Sequence, residues 1–207
     1  LDNAAGVAAL LENARLLMTM ADRPRRSILF VIVTAEEKGL LGAEYFSNNP
    51  TVPMRNVVAN VNLDMPMLLY PFTNVIAFGA QHSSLKESTE NALQALNLDL
   101  MEDPMPEENL FVRSDHYKFV QKGVPAVFLS VGFGSSDPNL NGEELFNDFL
   151  QNHYHQVSDS IDLPLNYDAG ALFAQVNFMI ATEVANADER PSWNEGDFFG
   201  TEFGRAE

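Results

Sequence analysis

Residues 28–34, Ile-Leu-Phe-Val-Ile-Val-Thr, form an unbroken apolar run rich in β-branched side chains, and Glu36 and Glu37 follow it after a single alanine. A run of this length and composition predicts a strand, and its lack of polar alternation predicts burial on both faces. That is the environment inside a mostly parallel sheet with helices above and below it. Open sheets of this kind place their chemistry beyond the carboxyl ends of the strands, where the two glutamates stand.

The arrangement recurs. Residues 56–63 read as a second strand and end on Asp64, Met65 and Pro66, while Val124–Ser130 reads as another strand and leads into a long loop that carries His153 and His155. Asp2 precedes the apolar spacing of a first helix over about 4 to 20. Further helices are expected at about 40–48, 83–97, 114–121 and 168–185, a strand at 74–79, and loops at 99–113 and from 131 to about 164. Strands alternating with helices give an α/β fold with a mostly parallel central sheet covered by helices on both faces. Residues 1–186 are expected to form the domain and 187–207 an acidic, aperiodic tail whose Trp193, Phe198, Phe199 and Phe203 could dock on it.

The chain has 12 basic and 29 acidic residues among 207, a net charge of −17, which opposes binding to nucleic acid phosphates or anionic lipid. No apolar run approaches the roughly 20 residues needed to span a bilayer. The absence of cysteine removes disulfides and thiolate metal ligands and leaves nitrogen and oxygen donors.

Each acid also has a structural reading. Asp2 could cap the first helix, Glu36 and Glu37 could open a solvated turn, and Asp64 could close one. Ser114-Asp115-His116 reads as a helix start, and His82 as a loop histidine. Carboxylates and imidazole converging from separate elements would instead suit zinc, which takes N and O ligands and keeps a position for water.

Five segments occur in a recognisable order: Asp-Asn-Ala-Ala-Gly at 2–6, Ala-Glu-Glu-Lys-Gly-Leu-Leu-Gly-Ala at 35–43, Asn-Leu-Asp at 62–64, Arg-Ser-Asp-His at 113–116 and Tyr-His-Gln-Val-Ser-Asp at 154–159. Together they resemble the co-catalytic di-zinc exopeptidases, the group of aminopeptidase Y, the bacterial leucyl aminopeptidases and glutamate carboxypeptidase. The resemblance implies Asp2 as a carboxylate bridging two zinc ions, Glu37 and His155 as the remaining protein ligands of one, Asp64 as a ligand of the other, and Glu36 as general base. It implies a cis Asp2–Asn3 bond and places His155 ahead of His153, with Asp159 available to orient the imidazole. In the family a further histidine comes from a His-x-Asp segment upstream of the bridging aspartate. The expectation is therefore that these residues form the carboxyl portion of a domain with its N-terminal strands elsewhere.

The implied activity is removal of N-terminal residues from peptide substrates, in a periplasmic or extracellular setting. Zinc-dependent glutaminyl cyclase, or a catalytically silent peptidase-like interaction domain, are the alternatives. Phe111 and Phe133 hint at an apolar substrate pocket, whereas Arg113 would favour an acidic group.

Overall fold

The computed structural model describes residues 1–205. Its centre is set by two strands whose side chains alternate between two apolar layers. In β2 (Asn74–Phe78) Val75 and Ala77 enter one layer, and Ile76 and Phe78 the other. In β4 (Ala126–Val131) Val127, Leu129 and Val131 face the first layer and Ala126 and Phe128 the second. Side chains of period two that are apolar on both faces can be satisfied only when both faces are covered.

The first layer is supplied by α1 (Ala4–Thr19), α3 (Leu85–Ala95) and α6 (Tyr167–Asn186), with Leu93, Phe173, Val176 and Ile180 at its centre. The second comes from α4 (Tyr117–Val120), the 110–112 turn and α7 (Phe198–Phe203). The sheet order is β1-β4-β2-β3, with β1 at Asn60–Asn62 and β3 at Asp99–Met101. The β1–β4 and β2–β3 pairings are parallel and β2–β4 is antiparallel.

The structure departs from the sequence reading in four places. Residues 28–34 form no strand and join no ladder, and among the described residues their one main-chain hydrogen bond is from the Gly42 amide to the Thr34 carbonyl, 2.9 Å. Leu29, Phe30 and Ile32 are 48, 36 and 59% exposed, so the expected two-faced burial is not met. Strand propensity alone does not make a strand; pairing and burial need neighbours, and no described strand lies against this segment. The expected strand over 56–63 pairs only at 60–62, because a 3-10 turn occupies Met54–Asn56. Asp99–Met101, read as loop, pairs with β2. The long loop after β4 contains α5 (Gly142–Asn152), capped by Asn141, which accepts from the Glu143 amide at 3.1 Å and the Glu144 amide at 3.3 Å.

The segment after α6 also differs from an aperiodic tail. Residues 192–194 run against 82–84, and α7 follows; residues 206 and 207 lie outside the described part. Arg26 holds the end of α6 by donating to the Val184, Ala187, Asp188 and Glu189 carbonyls at 2.5–3.3 Å, a cation at the negative end of the helix. Burial predicts where substitutions matter. Ile180→Ala, in the fully buried layer, is expected to cost about 2 to 5 kcal/mol of unfolding free energy. Ile32→Thr is expected to stay within about 0.5 kcal/mol, as read by urea denaturation.

Candidate metal centre

The Glu36–Glu37 pair opens a 3-10 turn, Glu36–Lys38, bracketed by left-handed residues at Ala35 (φ 59°) and Gly39 (φ 97°). The start of α2 (Leu41–Asn48) then presses on the end of the 28–34 segment. A Cβ on Gly42 would sit 2.3 Å from the Thr34 carbonyl oxygen, so only glycine permits this approach.

Asp2 does not cap α1. Asn3 does, accepting from the Gly6 amide at 3.2 Å. The same Asn3 side chain accepts from the Met65 amide at 3.0 Å and donates to the Leu63 carbonyl at 3.3 Å, binding the first turn of α1 to the end of β1. Gly6 makes the fit possible, since a Cβ there would lie 2.4 Å from the Leu63 oxygen. The Asp2 carboxylate is left free beside the β1 exit, and the Asp2–Asn3 peptide bond is cis, as the resemblance implies.

Asp2, Glu37 and His155 each offer a ligand atom within 4.8 Å of the others. The His155 Nε2 lies 2.7 Å from Glu37 Oε1 and 3.3 Å from Asp2 Oδ2, with the Tyr154 ring stacked on the imidazole at 3.7 Å. Asp64 stands next to this trio. Its Oδ2 accepts from the Ser114 hydroxyl at 2.6 Å, and Asn62 Nδ2 donates to that hydroxyl at 2.9 Å. Glu36 lies outside the trio, within electrostatic reach of Asp64, Asp115, Glu37 and Asp2. His153 is elsewhere, with Nδ1 3.0 Å from the Ser158 hydroxyl and its ring stacked on Phe149. Three site positions carry left-handed non-glycine backbone: Ala35 before Glu36, Met65 after Asp64, and His155 itself. Such conformations cost roughly 1 to 3 kcal/mol each and persist where the surroundings impose them.

Several sequence expectations need correction here. The Asp159 carboxylate accepts from the Asp2 backbone amide at 2.8 Å, so it holds the Asp2 backbone rather than the imidazole. Ser114 is buried against Asp64 instead of capping α4, and Phe111 is core rather than pocket. Arg113 is exposed and paired with Glu108 at 2.8 Å. Two contributors, Asp115 and Tyr154, stand in the five motif segments but receive no site role from the sequence. The signal for each was adjacency to a motif residue, since the Ser-Asp and Tyr-His pairs place one member on the site and carry the other beside it.

The electrostatics follow from crowding. Burial pushes Asp2 up to about 6, with Asp64 and Glu37 adding to the rise and His155 opposing it. Burial, then Asp64 and Asp115, push Glu36 up to about 7. Asp115 rises to about 6 through burial and Asp64, and its buried Oδ1 has no partner. Burial raises Asp64 as well, against the lowering effect of the Ser114 hydrogen bond. The Tyr154 phenol is pushed up to about 12 by burial and then by Asp2, Glu37, Glu36 and Asp64. Among the described residues no lysine or arginine pairs with any of these acids. The set thus has no lysine or arginine partner among the described residues, and its oxygen and imidazole donors suit zinc.

A stability consequence is testable. Carboxyls raised in the folded state bind more protons there than in the unfolded chain. Their contribution is fully present below about pH 4 and is lost as pH rises towards about 7. The metal-free chain is therefore expected to show a falling melting temperature across that window. Asp115→Asn, which removes one charge at constant shape, should flatten the slope, as calorimetry at a series of pH values would show.

Comparison with known proteins identifies the family and the fold. The model of Peptidase family M28 matches residues 1–181. Aminopeptidase Y of Saccharomyces cerevisiae is 27% identical over 187 residues, which are 89% of this chain and 32% of that protein. The aminopeptidase from Aneurinibacillus sp. strain AM-1 superposes with a TM-score of 0.65 at 20% identity, over 91% of this chain and 40% of the other. Glutaminyl cyclase of Porphyromonas gingivalis gives 0.57 at 18% identity, over 88% and 62%. The chain spans about a third of the length of the yeast relative, and the two structural likenesses concern the fold. With a family match over most of its length, the chain belongs to Peptidase family M28.

Proposed function

We propose that this chain carries the catalytic centre of a zinc aminopeptidase. Asp2, Glu37 and His155 would hold one zinc ion, and Asp64 with the shared Asp2 would hold another. The observation that supports this most is the convergence of Asp2, Glu37 and His155 within 4.8 Å, ringed by further carboxyls with no basic side chain among the described residues paired to them. When bound, zinc supplies Lewis acidity towards a carbonyl and acidifies water.

The chain's own groups do the proton work. Glu36 is left free by the ligand geometry, and its carboxyl, pushed up to about 7, is matched to exchanging protons near neutral pH. It would take the proton from the attacking water and return it to the leaving amine as the peptide bond breaks, which releases the amino-terminal residue as a free amino acid and leaves the shortened peptide with a new amino terminus. The Tyr154 hydroxyl stays protonated at neutral pH and can donate to the developing oxyanion. The surplus of carboxylates favours a substrate arriving with a free α-ammonium, which supports an exopeptidase. Residues 28–34, which join no ladder among the described residues, have the strand propensity to pair with a further strand.

The experiment is hydrolysis of aminoacyl p-nitroanilides, against their N-acetylated counterparts, by the zinc-loaded protein. Release from free amino substrates alone supports the reading. Cyclisation of an N-terminal glutamine in place of hydrolysis would favour the cyclase. Neither reaction, with zinc bound, would favour a silent interaction domain.

A further inference from the structure

The C-terminal segment reaches the candidate site through a continuous series of contacts. Ser192 accepts from the Ser84 amide at 2.9 Å, and Asn194 donates to the His82 carbonyl at 3.0 Å. Asp197 then does two things: Oδ1 caps α7 at the Phe199 amide (2.9 Å), and Oδ2 is 2.6 Å from His82 Nδ1. Phe199, 9% exposed, stands edge-on to both His82 (4.8 Å) and Phe111 (5.0 Å). Two glycines make room for this docking. A Cβ on Gly200 would lie 2.6 Å from the Trp193 Cβ, and one on Gly79 would lie 2.0 Å from the Phe111 ring.

From Phe111 the contacts continue to the site. The fully buried His116 packs on the Phe111 ring at 5.1 Å, and its Nε2 is 2.6 Å from the Phe111 carbonyl, which closes the 111–116 turn on itself. Within that turn, Ser114 donates to Asp64. Only Phe111 and the turn separate α7 from a site carboxylate. Aromatic packing of this kind transmits position because the buried rings have few alternative rotamers.

We propose that Phe199, seated by the Asp197–His82 pair, is a positioning residue: docking of α7 fixes the 110–116 turn so that Ser114 holds the Asp64 carboxylate aimed into the site. The inference rests on the metal-centre reading for the part played by Asp64, while the coupling of α7 to the turn stands on packing alone.

The test compares the full chain with Phe199→Ala, Phe199→Leu and Val184→Ala, the last removing core volume from the opposite layer. Two readouts are taken: amide hydrogen exchange over residues 110–117, and titration with Co²⁺ alone, followed by its visible absorption. In Phe199→Ala, exchange over 110–117 should accelerate at least about tenfold relative to β2 and β4. Co²⁺ binding at the weaker position, the one that would use Asp64, should weaken about tenfold, the scale typical of lost outer-shell orientation, relative to binding at Asp2, Glu37 and His155. Phe199→Leu should recover most of both, and Val184→Ala should change neither selectively. If Phe199→Ala behaves as Val184→Ala does in both readouts, the proposal is overturned. If the wild-type chain binds no Co²⁺, the metal reading fails, and exchange alone decides whether α7 controls the turn: selective acceleration over 110–117 supports the coupling, and its absence overturns it.

Discussion

Glu36→Gln is expected to lower turnover by about 10² to 10⁴ while leaving zinc content unchanged, because the substitution keeps size and hydrogen bonding but removes the base. The structure separates this residue from its neighbour. Glu37 contributes an oxygen to the Asp2–Glu37–His155 group, whereas Glu36, one residue earlier in the same 3-10 turn, is outside it. Burial and the neighbouring acids push Glu36 up to about 7, so in the absence of metal it is partly protonated at neutral pH. A bound dication would oppose that rise and favour the carboxylate form. Glu37→Gln should instead release metal, with activity falling in proportion. Elemental analysis beside the turnover assay distinguishes the two variants. Equal zinc loss in both, or near-normal turnover in Glu36→Gln, would mean that the roles have been assigned to the wrong members of the pair.

How far the candidate site and its supports were legible in the sequence is a matter of range. Acids after apolar runs made Glu36, Glu37 and Asp64 candidates and motif order added Asp2 and His155; the structure brings Asp2, Glu37 and His155 within 4.8 Å of one another. What was not legible depends on partners distant in the chain. Ser114 looked like a helix cap because serine, aspartate and histidine before an apolar stretch give that local signal; its role follows from Asp64, fifty positions earlier. Asp159 looked like an imidazole partner by spacing, and the fold gave it to the Asp2 amide across 157 positions. Residues 28–34 have the propensity of a buried strand, yet their burial depends on neighbours that propensity does not supply. Phe199 carried no periodic signal at all, since α7 is six residues long and its partner rings come from residues 82 and 111.

The metal stoichiometry should follow the same division between what these residues supply and what they do not. Asp2, Glu37 and His155 give one position three protein ligands, which with water is a complete shell for a catalytic zinc. The position at Asp64 has that carboxylate and the shared Asp2, and two ligands hold zinc weakly. This 207-residue chain is therefore expected to retain at most one zinc ion after dialysis and to exchange any second one readily. Because burial pushes Asp2 up to about 6, zinc must displace a proton there, and affinity should rise with pH between about 5 and 7. His155→Ala removes the single nitrogen donor and leaves two carboxylates. Its loss of affinity should exceed the roughly 10- to 100-fold typical of losing an outer partner. Calorimetric titration with zinc at several pH values, together with elemental analysis, decides the matter. Two tightly held ions per chain would show that a side chain outside the Asp2, Glu37, Asp64 and His155 set completes the second position, and unchanged affinity in His155→Ala would remove the imidazole from the centre.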